Sequence, residues 1–193
     1  MAIKSTDITT KAELCVDETL SSSTFDSNYL PIENFVDEAV RWVIDSVSVK
    51  ALGPGKSQEA IIINGVATLS NVDGRFLWAK GGGWDRVVSS FIYDDNPRCA
   101  QLKDSVFGAS PSRPTVVVSL GGKTIEMHRV EGRSTVGIMP YHSSDDVWDF
   151  LPSEFLDIVA WKVAELVLSA ISDVNGASVC ANKVNEHLES FQR

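Results

Sequence analysis

The sequence predicts an α+β fold, with a helical bundle built from both ends of the chain and a β-rich antiparallel insertion between them. Apolar residues recur at helical spacing in residues 30–48 and 151–192. The middle instead holds short β-branched and aromatic runs bounded by Gly, Asn, Asp and Pro. Helices at both chain ends indicate that the termini pack together.

Charge follows the same division. Residues 1–50 carry four Lys and Arg against nine Asp and Glu, residues 51–140 carry ten against eight, and residues 141–193 carry three against nine. We assign these ranges to the N-terminal helical part of the body, the β-rich insertion and the C-terminal helical hairpin that completes the body. At 193 residues the chain can form one sizeable domain, or a helical body with a β subdomain.

The bulk composition argues against several classes of protein. A pI near 4.8 disfavours a dedicated nucleic-acid binder, whose phosphate contacts need clustered Lys and Arg. Cys15, Cys99 and Cys180 are widely spaced and odd in number, which favours reduced, mostly buried thiols in a cytosolic setting. We expect neither a signal peptide nor a membrane span, because no apolar run is long enough.

The N-terminal part predicts two helices. The first covers residues 6–20, is capped by Thr6 or Asp7, and is followed by a polar loop at residues 21–24. Its expected apolar face comprises Ile8, Ala12, Cys15, Val16 and Thr19. The second begins at Leu30-Pro31, where proline suits the first helical turn. Its expected core face comprises Val36, Ala39, Val40, Val43 and Val47.

The middle of the chain predicts short strands joined by tight turns. The expected strands are residues 61–63, 66–69, 76–78, 87–88, 91–93 and 115–118. Asn64-Gly65, Asp73-Gly74 and Gly121-Gly122 are hairpin-turn signals, and the last should pair residues 116–120 with 124–129 in antiparallel fashion. Four Gly and Pro residues predict an irregular loop over residues 94–114.

The C-terminal part predicts a helical hairpin. A helix beginning at Leu151-Pro152 has few polar residues and should lie centrally, with neighbours on several sides. Residues 173–176, Asp-Val-Asn-Gly, predict its break. A last amphipathic helix, from Ala177 to about Phe191, has an expected apolar stripe of Val179, Cys180, Val184, Leu188 and Phe191.

No motif in the chain supports a catalytic, cofactor-binding or metal site. Gly55-Lys56-Ser57 lacks the earlier glycine of a phosphate-binding loop, and a helix precedes it where a strand is required. Gly81-Gly82-Gly83 predicts a turn before Trp84.

The polar residues also lack the spacing of a site. His128, His142 and His187 have no partner at metal-ligand spacing. The acidic cluster at residues 143–149 fits a polar loop or a helix cap, although a divalent cation is a conceivable ligand.

The order of features resembles that of head-to-tail adaptor proteins, the ring or connector proteins at the portal vertex of short-tailed and crAss-like phages of Bacteroidales. The features occur over residues 30–192 in this sequence: Glu38-Ala39-Val40 in a helix; then Phe76-Leu77, Trp84, Val87-Val88, Pro97, Gln101, Gly108 and Pro114-Thr115-Val116-Val117; then Leu151-Pro152-Ser153-Glu154-Phe155, Trp161 and Phe191.

The resemblance implies a structural virion protein at the head-tail junction, made in the host cytoplasm and without catalysis or cofactors. Such adaptors assemble, typically as twelve copies, on the portal protein, extend the DNA channel and dock downstream tail or ring proteins. Double-stranded DNA would only pass by, repelled by an acidic body.

For contacts with the portal or between copies we expect the segments 1–29 and 177–193, anchored by Trp148 and Phe191 and removable from a folded core. Two alternatives remain open. One is another tail or neck component, such as a tail-completion or tail-hub protein. The other, more remote, is a small enzyme that binds nucleotide at Gly55-Lys56-Ser57.

Overall fold

In the computed structural model the protein is α+β, and the structure describes residues 2–19, 31–102, 110 and 112–192. The expected loop at residues 21–24, and most of the second half of the loop at 94–114, lie outside the described residues. The chain divides into two compact units, a helical unit of residues 1–53 and 141–193 and a β unit of residues 54–140.

The helical unit is built around one nearly apolar helix. Its helices in chain order are α1 (Ser5–Thr19), α2 (Val36–Ser46), α4 (Leu156–Ala170) and α5 (Val174–Gln192). Helix α4 packs against α1, α2 and α5, as its lack of polar residues predicts. Its buried residues are Ile158, Val159, Ala160, Lys162, Val163, Ala164, Val167 and Leu168. The central position expected for this helix is confirmed.

Short 3-10 turns, Ile32–Phe35 and Ser153–Phe155, lead into α2 and α4. Each follows a proline, Pro31 or Pro152, whose fixed φ suits the start of a helix. Two short strands, β1 (Ile3–Lys4) and β10 (Val147–Trp148), pair antiparallel in the same unit. The residues expected to form the core faces of α1 and α2 are buried, except Thr19, which is half-buried.

Helix α5 differs from the sequence prediction in its start and in its buried face. It begins at Val174 and includes Asn175 and Gly176, so the break lies one turn earlier than expected. Asp173 explains this start, because its Oδ1 accepts a hydrogen bond from the Gly176 amide, 3.1 Å away, as an N-cap does. Val179 is exposed, in contrast to its expected place in the apolar stripe.

The β unit contains, within the described residues, a three-stranded sheet and a five-stranded sheet. The strands are β2 (Lys56–Glu59), β3 (Ile61–Ile63), β4 (Val66–Ser70), β5 (Gly74–Lys80), β6 (Ile92–Tyr93), β7 (Val116–Val118), β8 (Thr124–His128) and β9 (Thr135–Pro140). The sheet orders are β2-β9-β5 and β3-β4-β8-β7-β6. A short helix, α3 (Arg98–Leu102), occupies part of the expected irregular loop.

Two of the three expected hairpin turns are confirmed, at Asn64-Gly65 between β3 and β4 and at Gly121-Gly122 between β7 and β8. The third prediction is wrong. Asp73-Gly74 joins strands of different sheets, because β5 pairs with β9 and not with β4. The insertion is also not wholly antiparallel, since β6 pairs with β7 in parallel. We expected a strand at Val87-Val88. In the structure Val88 forms an isolated bridge with Ala79 and belongs to no named strand.

One hydrophobic core joins the two sheets of the β unit. It includes Phe76 and Ile138 from one sheet, Ile125 and Met127 from the other, and Trp84 from the turn after β5. No helix in the described part of the chain is both long and apolar enough to cross a membrane.

We predict that Gly137→Ala destabilises the β unit by about 1–3 kcal/mol, the usual cost of overpacking. A methyl group at Gly137 would overlap the indole of Trp78, whose Nε1 donates a hydrogen bond to the Pro54 carbonyl 2.8 Å away. Urea unfolding followed by tryptophan fluorescence measures the change. Gly121→Ala is the control, because its added methyl group meets no atom and should shift stability by less than about 0.5 kcal/mol. Equal effects of the two changes would contradict the prediction.

Candidate functional site

The five-stranded sheet has one face in the core of the β unit and a second face that is covered at one end. Strand pairing puts Ile61, Thr68, Glu126 and Val117 in one row across this second face. Val117 is buried because Leu102 of α3 packs against it. The cover formed by the described residues therefore lies over β7 and does not reach β3.

The uncovered end of this face is apolar. Ile61 and Ile63 of β3 are 72% and 67% exposed. Opposite them on β4 are the half-buried Thr68 and Val66. Among the described residues β3 pairs with β4 alone, and no charge occurs between residues 60 and 72. Edge strands usually carry charge that blocks further pairing, so an uncharged edge with exposed isoleucines is typical of an interaction surface.

The helical unit carries a groove of about 490 Å³ along α1 and the start of α4. Ile3, Leu14 and Leu156 supply its apolar lining, and Asp7 and Lys11 also line it. Leu14 is 60% exposed, because it lies on the side of α1 opposite the buried face. The groove can therefore receive a small apolar group beside charged side chains.

A second cavity of the helical unit, about 380 Å³, is lined by acidic residues and by Trp148. Glu33, Asp37 and Asp146 are its acidic residues, and the Asp146 carbonyl accepts a hydrogen bond from the Ser5 amide at 2.9 Å. Trp148 is 5% exposed, and its Nε1 is closed off from solvent without a hydrogen-bond partner in the described part of the chain. Because the Trp148 Nε1 donor is closed off from solvent, a ligand in the cavity would meet mainly the acidic and hydroxyl-bearing side chains of the lining. We assign no ligand to this cavity.

The two expected anchor residues are both packed within their own chain. Trp148 lies in β10 opposite Ile3, and Phe191 stacks on Phe155 with ring centroids 4.5 Å apart. Phe191 is half-buried, so part of its ring stays accessible. An anchoring role for either residue stays a prediction, and for Trp148 it would require the exposure of a side chain that is buried here.

Where the structure describes them, the terminal segments are part of the core of the helical unit, which argues against the expectation that they are removable from a folded core. From the segment 1–29, α1 contributes Ile8, Ala12 and Val16, each fully buried. From 177–193, α5 contributes Cys180 and Val184 to the same unit. These helices are structural because, with α2, they are the α-helices that pack against α4 in the described part of the helical unit.

The glycine motifs form turns in the structure. Gly55 adopts a φ of +63°, and Lys56-Ser57 begins strand β2, where a phosphate-binding loop would begin a helix. Gly83 has a φ of +79° and precedes Trp84, whose Nε1 donates to the Arg129 carbonyl at 3.2 Å. Each motif therefore has the structural role that its sequence context predicts.

The histidines lie on three separate elements. His142 Nδ1 is 3.1 Å from Asp37 Oδ2, His128 Nε2 is 3.5 Å from Glu126 Oε2, and His187 lies on α5. Within residues 2–19, 31–102, 110 and 112–192, no group of three His, Cys, Asp or Glu residues is placed to hold a metal ion.

The three cysteines are thiols, of which Cys15 and Cys180 are buried. Burial, followed by the neighbouring Cys180, raises the pKa of Cys15 to about 12. Burial also raises the pKa of Cys180, whose Sγ is 3.4 Å from Thr19 Oγ1. Cys99 is only half-buried and its Sγ donates to the Tyr93 carbonyl at 3.0 Å. Only Cys99 is therefore open to a reagent in the folded protein.

Sequence reasoning identified β3 as a strand but did not single it out as a surface. The available signal was the combination of three consecutive isoleucines and an uncharged run from residue 60 to 72.

Comparison with known proteins adds no family to this description, because no family model matches the chain and no curated protein matches it.

We predict that a thiol reagent at pH 8 labels about one cysteine per native chain, Cys99, and all three after denaturation. With a pKa of about 12, only about one Cys15 thiol in ten thousand is ionised at pH 8. Mass spectrometry of the labelled peptides identifies the site, and Cys99→Ser is the control that should abolish native labelling. Rapid native labelling of Cys15 would contradict the burial.

The same pKa sets the sign of an alkaline effect on stability. Well below pH 9, the ordinary pKa of the thiol, Cys15 is protonated in both folded and unfolded chains and contributes nothing to the pH dependence. As pH rises from 9 toward 12 the unfolded chain releases its proton first, so the free energy of unfolding falls.

We predict that deleting residues 177–193 unfolds the helical unit, because α4 loses the side chains of α5 that cover it. The far-UV circular dichroism should lose much more helix than the deleted residues contain. Phe191→Ala is the matched control, expected to stay folded and to lose about 1–2 kcal/mol through the stack with Phe155. A truncated chain with the helix content of the remaining residues intact would contradict this role of α5.

Proposed function

We propose that this chain is a structural virion protein, a head-to-tail adaptor that forms a ring on the portal vertex of a tailed bacteriophage, extends the DNA channel and docks the tail. The observation that carries the proposal is the order of elements. Helices from both chain ends form one unit, and a β unit of residues 54–140 is inserted between them. This is the order in which the sequence resembles the adaptors.

The charge distribution supports a role near DNA without binding it. The helical unit carries seven Lys and Arg against eighteen Asp and Glu, a net charge of −11, and the β unit has a net charge of +2. A strongly acidic surface repels the phosphate backbone, so DNA can pass without being retained. The partners that we propose are the portal protein, further copies of this chain and downstream tail proteins, with DNA only in passage.

The exposed apolar surfaces support a role in assembly. Ile61 and Ile63 on the β unit and Leu14 on the helical unit are more than half exposed. An exposed, uncharged apolar sheet edge such as β3 is typical of contacts with other proteins. The cavities described above offer no arrangement of nucleophile, base and acid that would favour an enzyme over a structural protein.

Electron microscopy with the portal tests the proposal. We expect negative-stain images of this protein mixed with the portal protein of the same genome to show an added ring of density that neither protein shows alone. An unrelated protein with a net charge near −9 controls for adhesion to the portal.

Bare portals at high protein excess would overturn the adaptor role. In that case a pull-down with tail proteins of the same genome would test the alternative that this chain is another neck or tail component. A band shift of double-stranded DNA at physiological salt would contradict the expected passage without binding.

A further inference from the structure

The chain contains two Asn-Gly pairs, Asn64-Gly65 and Asn175-Gly176, which sequence alone does not distinguish. An asparagine followed by glycine is prone to spontaneous loss of its side-chain nitrogen as ammonia, because glycine has no Cβ to hinder attack by its backbone nitrogen on the asparagine side chain. Both asparagines are exposed to water, which is the co-reactant of this change. The two pairs differ in how the fold holds the glycine amide.

The first pair lies in an open turn. Asn64 and Gly65 join β3 to β4 with φ of +51° and +77°, the signs of a type I′ hairpin. A methyl group on Gly65 would meet only the Val130 carbonyl oxygen, 4.0 Å away, and the Gly65 amide donates no hydrogen bond to any described residue. Since β3 is a three-residue strand at a sheet edge, this turn can open by breaking few hydrogen bonds. The Gly65 nitrogen is therefore able to approach the Asn64 side chain.

The second pair is held in the first turn of α5. The Gly176 amide donates to Asp173 Oδ1 at 3.1 Å, and Gly176 itself is buried. A methyl group on Gly176 would lie 2.8 Å from the Thr19 carbonyl oxygen, so the backbone here is packed against the end of α1. Attack by the Gly176 nitrogen on Asn175 requires that the hydrogen bond to Asp173 break and that the helix unwind at its start.

We propose that Asn64 is a site of spontaneous deamidation in the folded protein and that Asn175 is protected from the same reaction. The Gly65 nitrogen bonds to Cγ of Asn64, the Cγ–Nδ2 bond breaks, and the amide proton of Gly65 leaves with the side-chain NH₂ as ammonia. Water then opens the resulting cyclic imide at either carbonyl. One opening yields aspartate, and the other yields isoaspartate, whose main chain runs through the former side chain. The site is independent of the adaptor role.

Deamidation changes both the charge of β3 and its pairing. The run from residue 60 to 72 carries no charge, so a carboxylate at position 64 would be its only one, and the formal net charge of −9 would become one unit more negative. Isoaspartate also adds an atom to the main chain of the hairpin turn, whose length sets the register of β3 against β4. The modified chain should therefore be more acidic and should lose the pairing of β3 more readily.

Incubation of the native protein at mildly alkaline pH, followed by tryptic peptide mapping, tests the site. Residues 57–75 form the tryptic peptide of Asn64, and residues 163–183 form that of Asn175. Mass spectrometry detects the conversion of an amide to an acid, fragment ions locate it, and a sample digested without incubation gives the background. Anion-exchange chromatography follows the growth of the more acidic species in the intact protein.

Three comparisons show whether the fold is responsible. Asn71 shares the peptide and the positive φ of Asn64, but the Val72 amide donates to the Lys123 carbonyl at 3.0 Å, so Asn71 should stay intact. A sample in concentrated urea removes the fold. Asn64→Gly keeps a residue that adopts positive φ without strain and removes the reactive side chain.

We expect Asn64 to convert at least about tenfold faster than Asn175 in the native protein, because the hydrogen bond and the helix cap together protect Gly176. In urea the two sites should convert at comparable rates, since each pair follows a β-branched residue, Ile63 or Val174. Asn64→Gly should stop the growth of the acidic species in the native protein.

Native conversion of Asn175 as fast as that of Asn64 would overturn the proposal, and so would an Asn64 that stays intact in the native protein while the urea sample converts. Asp173→Ala, with its folding checked by circular dichroism, should raise native conversion of Asn175, because the Gly176 amide loses its acceptor. An unchanged rate in this variant would contradict the protection assigned to the cap.

Discussion

The burial of α4 is the constraint on which the helical unit depends. A helix with apolar residues on every side must be covered on every side, and here α1, α2 and α5 cover it. Two of these helices precede α4 by a long stretch of chain and one follows it, so the chain must return to its starting region. The segment between α2 and α4 has to leave this unit and complete a core of its own, which the two sheets of residues 54–140 provide.

The same constraint explains the one charged side chain buried on α4. Lys162 is 8% exposed, and its Nζ donates to Glu165 Oε1 at 2.8 Å and lies 4.2 Å from the centre of the Trp42 ring. A carboxylate and an aromatic face together replace the water that this ammonium loses. The other two charged residues of α4, Asp157 and Glu165, are half-buried, and each pairs with a lysine.

Sequence periodicity predicted the parts of the fold that are decided locally. Helices α1, α2 and α4 and the two glycine hairpins follow from side-chain spacing and turn chemistry. The misses come from interactions between distant residues. Gly74 reads as a turn residue, yet it begins β5, where it pairs with Pro140 of β9, 66 residues further along the chain (140 − 74). Gly176 reads as a helix break, although Asp173 caps a helix that contains it.

The candidate surface could be predicted only in part, for a related reason. The three isoleucines of β3 identify a strand, but which of them is exposed depends on which face of the strand packs on the core and on how far α3 covers the other face. Both facts depend on pairing across the sheet. The groove around Leu14 is harder still to predict. Its prediction requires knowledge of the distance between α1 and α4, two helices that are far apart in sequence.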